Sequence, residues 1–97
     1  MAVQVEWNLL EASLLLEAYL EIQNNTISKM AAIHRLSEDL RKMAVNQGLE
    51  IDNVFRNENG ITFQLYSMDS AYKGYTVIKP ANKVFKDIVS IYKDNNK

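Results

Sequence analysis

Residues 55–72 read FRNENGITFQLYSMDSAY, and the fold class turns on them. Two periodicities compete in this stretch. Asn59-Gly60 stands before the alternating Ile61, Phe63 and Leu65, which is a hairpin signal. That pattern predicts a strand at 61–66 paired with 51–56, and an α+β fold. The other pattern takes Asn57 as a helix N-cap. Ile61, Leu65, Met68 and Tyr72 then share one face at spacings of four, three and four, and Gly74 suits a left-handed C-cap. The helical pattern spans twelve residues and the strand pattern six. Length favours a helix at about 57–72 and an all-α fold, with the α+β hairpin at 51–66 as the alternative.

The flanking sequence supplies three more helices. Asn8 and Glu11 have capping-box spacing, and Trp7 stands where a hydrophobic staple would meet Ala12. Leu9, Ala12, Leu16, Tyr19 and Leu20 follow helical spacing, and Asn24-Asn25 ends the pattern, so a first helix is expected at about 8–24. Ser28 caps a second at about 29–46, with Met30, Ile33, Leu36, Leu40 and Met43 inward, Glu38 four residues before Lys42, and Gly48 just past its end. Leu49, Ile51, Val54 and Phe55 are expected to tuck a following loop into the core. Tyr75, Val77 and Ile78 are expected to pin the connection at 73–79. Pro80 suits the first position of a last helix at about 80–94, whose apolar face holds Val84, Phe85, Ile88, Val89, Ile91 and Tyr92. The C-terminal DNNK is expected to fray.

Ninety-seven residues make a single domain. With no cysteine, disulfides and thiolate chemistry are excluded. The longest apolar run is Met30–Ile33, too short to span a membrane. MAVQVEW lacks the basic start and apolar stretch of a signal peptide, so a cytoplasmic location is expected. The net charge of −1 is unevenly spread. Residues 1–27 hold Glu6, Glu11, Glu17 and Glu21 with no Lys or Arg. Residues 70–97 hold six lysines against Asp87 and Asp94. One acidic and one basic side are expected, and the basic side can attract phosphate.

Catalytic signals are weak. His34 is the one histidine, beside Glu38 and Asp39, a spacing common on ordinary helices. Glu38-Asp39 and Glu50-x-Asp52 lack the third ligand and cleft a metal needs. The three glycines lie far apart, so no phosphate loop exists. The chain is expected to be non-catalytic, without cofactor or metal. If 57–72 is helical, Arg56, Asn57 and Asn59 crowd a helix N-terminus, where free N–H groups suit a phosphate, and Gly60 allows close approach. Arg, Asn and Gln also read base edges. Thr62 and Gln64 flank the core stripe, and Lys73 and Lys79 would meet flanking phosphates. The competing reading of Arg56 is an ion pair with Glu50 or Asp52. Phe63 and Tyr66 are expected to lie under the C-terminal helix, or else to meet a partner.

Trp7 and Glu11, then Phe55, Arg56, Asn57, Gly60, Ile61, Gln64 and Leu65, then Lys79-Pro80, resemble an N-terminal domain of bacterial and mobile-element proteins. In those proteins the domain precedes larger nuclease, helicase or uncharacterised regions. More distantly, the Arg-Asn-x-x-Gly-Ile entry is similar to the third helix of Myb/SANT-like helix-turn-helix modules of HNH-type restriction proteins. The resemblance implies a three-helix, helix-turn-helix-like core plus a C-terminal helix, with 57–72 as the recognition helix. It implies a DNA-binding accessory domain, with DNA contacted by Arg56, Asn57, Asn59, Thr62, Gln64, Lys73 and Lys79, and a larger enzyme fused to it. The stretch is poorer in Lys and Arg than such helices are, and Asp69 lies within it. The other expectation is a protein-interaction module or small inhibitor that docks through its acidic first helix or its exposed aromatics.

Overall fold

The computed structural model describes residues 6–95. Residues 1–5, read above for a signal peptide, and residues 96–97, which include Lys97, lie outside the described residues. Four helices make an all-α fold: α1 (Leu9–Gln23), α2 (Lys29–Asn46), α3 (Glu58–Lys73) and α4 (Lys83–Asn95). No strand forms among the described residues.

The contested stretch is a helix because its polar end groups satisfy its own first turn. The Gly60 N–H donates to Asn57 Oδ1 at 2.8 Å. The Asn-Gly pair thus sits inside a helix cap and is unavailable to a hairpin turn. At the other end Gly74 takes φ +84°, and its N–H donates to the Ser70 carbonyl. The start of α1 has both halves of its capping box: the Glu11 N–H donates to Asn8 Oδ1 and the Asn8 N–H to Glu11 Oε1. Asn24 and Asn25 end it, Asn25 at φ +58°. Ser28 caps α2, and Gly48 follows it at φ +84°.

Pro80 does not open α4. The helix begins at Lys83, after Asn82, whose Oδ1 accepts from the Phe85 N–H at 2.8 Å. Asparagine satisfies an orphan N–H that proline cannot serve, so the cap sets the start. Residues 94 and 95 remain helical.

Contacts fix the directions. The Glu11–Arg56 and Tyr19–Asp69 pairs align α1 with α3, and Ser37 and Lys29 meet Arg56 and Tyr66, so α2 runs against α3. Trp7 against Phe85 and Tyr72 against Tyr92 align α4 with α1 and α3. The α1–α3 pair is therefore central, with α2 on one flank and α4 on the other, and α2 and α4 do not touch. Ala12, Leu15, Ile61, Met68 and Phe85 fill the core with no exposed surface.

To return α4 to the starting end, the connection after Gly74 runs back along α3. Two buried serines hold it there: Ser67 Oγ donates to the Pro80 carbonyl and Ser70 Oγ to the Lys79 carbonyl. Serine hydroxyls thus do what Tyr75, Val77 and Ile78 were expected to do; those three side chains are exposed. The 47–57 loop also differs from expectation, since Leu49 and Val54 are exposed while Ile51 and Phe55 are half-buried. No helix of the described residues is long and apolar enough to cross a membrane.

The Tyr19 hydroxyl donates to Asp69, tying α1 to α3. Burial, and then the Asp69 carboxylate, push this phenol above its ordinary range. The folded chain therefore holds the Tyr19 proton more tightly than the unfolded chain, whose tyrosine titrates near ~10. This part of the stability is complete below that pH and is lost as pH rises past it. Urea midpoints measured across the alkaline range should fall more steeply for the wild type than for Tyr19→Phe.

Candidate interaction surfaces

Of the residues expected to meet DNA, Arg56, Asn57, Asn59 and Thr62 fall at the start of α3, Gln64 within it, Lys73 at its end and Lys79 in the connection that follows. Arg56 is turned inward. Its Nε donates to Glu11 Oε2 at 2.9 Å and its Nη2 to Glu11 Oε1 at 3.1 Å. The two side chains are only 9% and 8% exposed. The rings of Trp7 and Phe55 each lie 4.6 Å from the guanidinium carbon. The partner is Glu11, neither Glu50 nor Asp52. Asp52 instead accepts from the Val54 and Phe55 N–H groups and shapes the loop. Arg56 sits at φ +47°, a left-handed conformation that bends the chain into α3, and its carbonyl accepts from Ser37 Oγ.

Asn57 is the cap, and a Cβ on Gly60 would lie 3.1 Å from its Oδ1. The small residue there makes room for the cap rather than for a ligand. Thr62 donates to the Glu58 carbonyl of its own helix. Lys73 pairs with Asp69 at 3.2 Å. Asn59 is exposed, and Gln64 and Lys79 are half-buried. Glu58 in the first turn complements the helix dipole, and that carboxylate opposes a phosphate. His34 of α2 stands beside it, 3.6 Å from Glu58 and 3.0 Å from Glu38. Glu38 thus meets His34 rather than Lys42.

The connection between α2 and α3 occupies residues 47–57. A helix-turn-helix joins its two helices by a turn of about 3–4 residues. Phe63 is 60% exposed and Tyr66 half-buried, with Lys29 of α2 5.4 Å from the Tyr66 ring centre. The C-terminal helix does not cover Phe63.

Among the described residues the surface recesses include a cleft and a groove. A cleft of about 310 Å³ lies under the 74–81 connection, lined by Ala71, Tyr75, Pro80 and Lys86 among others. Its Ser70 hydroxyl is already engaged, accepting from the Val77 N–H while donating to Lys79. The second is a groove of about 140 Å³ between α1 and α2, floored by Leu14, Ala18 and Leu36 and rimmed by Glu17, Glu21, Asp39 and Arg35. Arg35 donates to Glu21 at 2.9 Å and closes one end. Glu17 and Asp39 are exposed and form no salt bridge among the described residues. Leu10, 55% exposed, stands one turn before Leu14 on the same side of α1. Among the described residues, no three His, Asp or Glu side chains are placed to hold a metal ion.

No family model, curated protein or solved structure matches the chain. The early pairing of Trp7 with Glu11 was visible in the sequence. Its meeting with Arg56 was not, because 45 residues separate the two halves of that ion pair.

Proposed function

We propose that this domain is a non-catalytic protein-recognition module. The observation that carries it is the allocation of charge around α3. Arg56, the cation nearest the α3 N-terminus in sequence, is enclosed with Glu11, and the exposed first turn presents Glu58. DNA affinity rests on cations that neutralise phosphates, and each lost contact weakens it further. Lys73 faces Asp69 and Lys83 pairs with Asp87 at 2.9 Å, whereas Lys29 and Lys93 lie against the Tyr66 and Tyr72 rings of α3, away from its first turn. The surface offers exposed apolar side chains instead, among them Leu10, Phe63 and Ile78. Apolar contacts bordered by charge are the ordinary means of binding another protein.

A gel-shift titration tests this reading against DNA. With a duplex of mixed sequence in ~50 mM salt, no shift is expected up to about 100 μM protein. A shift that weakens with salt, and weakens again in Asn59→Ala or Lys79→Ala, would return the domain to DNA recognition.

A further inference from the structure

The α1–α2 groove has the form of a receptor for a helix, and its charge selects the kind of helix. We infer that it docks a basic amphipathic helix of a partner protein, with apolar anchors on Leu10, Leu14 and Leu36 and Lys or Arg side chains over Glu17 and Asp39. This inference rests on the protein-recognition reading above.

Three features converge on that occupant. The floor is apolar along one turn of α1, from Leu14 to Ala18, with Leu36 of α2 beside it, and the exposed Leu10 stands one turn before Leu14 on α1. Helix-in-groove recognition uses anchors with that repeat, at i, i+3 or i+4, and i+7. The rim carries three carboxylates and one guanidinium. The guanidinium is already held by Glu21, while Asp39 and Glu17 also act on it through space. Negative charge is therefore in excess along the rim, and a partner with lysines or arginines flanking its apolar stripe complements it. The groove is lined by α1 and α2 alone, with no residue of α3 or α4 and neither member of the Glu11–Arg56 ion pair in it.

The direct test uses a synthetic peptide with leucines at i, i+4 and i+7 and lysines on the flanking positions. Its controls are the same peptide with glutamates for lysines and a scrambled lysine peptide. Binding is followed by amide chemical shifts of the labelled domain and by the helical gain in far-UV circular dichroism. The expected result is saturable binding of the amphipathic lysine peptide, weakened by salt, with shifts concentrated at residues 10–21 and 35–43. The pair of surface changes Glu17→Lys and Asp39→Lys should weaken binding about tenfold while leaving the domain folded, since both side chains are exposed. Equal binding of the glutamate peptide, equal binding by the charge-reversed domain, or shifts centred on α4 would each overturn the assignment. Concentration-dependent self-association that the same charge reversal abolishes would overturn it too, giving the groove to a second copy of the chain. A negative peptide result with a negative gel shift removes this groove but leaves protein recognition standing; a positive gel shift removes the broader reading itself.

Discussion

Arg56→Ala should cost the domain about 3–5 kcal/mol, the range for breaking one side of a buried ion pair. Deleting the guanidinium leaves the Glu11 carboxylate enclosed, with the Asn8 N–H at 3.3 Å in place of its two-pronged partner. The two rings that flank the guanidinium also lose their common contact. Lysine should not restore the loss, because a point charge cannot reproduce the planar fork that meets both carboxylate oxygens. Glycine gives a sharper discrimination. Arg56 holds φ +47°, which glycine adopts freely and alanine does not. Arg56→Gly should therefore be less damaging than Arg56→Ala by about 1 kcal/mol. Glu11→Leu combined with Arg56→Met should be milder than either loss of a single partner, since no lone charge is then buried. Urea unfolding followed by circular dichroism measures all four. A cost for Arg56→Ala below about 1 kcal/mol, the value of an exposed pair, would show that water reaches the site freely.

That ion pair also explains what the sequence could and could not disclose. Local signals were strong wherever a cap closed within three residues. Asn8 with Glu11, Ser28, Asn57, Gly48 and Gly74 placed most helix ends, because each acts on backbone groups a few positions away. The last helix was misplaced because Pro80 and Asn82 are both acceptable starts in isolation. The Ser67 hydroxyl, thirteen residues back, occupies the Pro80 carbonyl. Burial of Ser67 and Ser70 had no pattern to announce it, since serine on a helix reads as a solvent-facing residue until a carbonyl is laid across it.

The candidate site was less legible for the same reason. Arg56 beside a helix N-terminus has the composition of an anion site, and composition does not say which way a side chain turns. Four of the residues on which the resemblance rests, Trp7, Glu11, Phe55 and Arg56, come together as one cluster around the buried ion pair. Of these four only Arg56 was expected to meet DNA, and together they are a clamp between the start of α1 and the entry to α3. The α1–α2 groove needed the opposite step. Its acidic and apolar residues were all visible, but two helices had to be packed before they shared a rim.

Phe85→Ala should be comparably severe, at about 3–5 kcal/mol, and its effect should be local first. Phe85 is completely enclosed and meets the Trp7 ring edge-on at 5.6 Å between centres. Only Phe85 and Val89 of α4 are fully buried, so the hold of this helix on the α1–α3 pair is concentrated in two side chains. A domain of this size has a total stability of roughly 5–15 kcal/mol, so the loss removes a large part of it. Because α4 does not touch α2, its release need not disturb the α1–α2 groove. Hydrogen exchange should therefore quicken along residues 83–95 before it does along α2. Trp7 supplies an independent optical report, since it is the one tryptophan and its ring loses its neighbour. Its emission should move toward that of an exposed indole while most helical ellipticity remains. The same ring makes the two predictions interdependent. Arg56 covers Trp7 from one side and Phe85 meets it from another, so the double alanine variant should cost less than the sum of the singles, by about 0.5–3 kcal/mol. Strict additivity would separate the ion pair from the α4 anchor and leave Trp7 as a bystander to both.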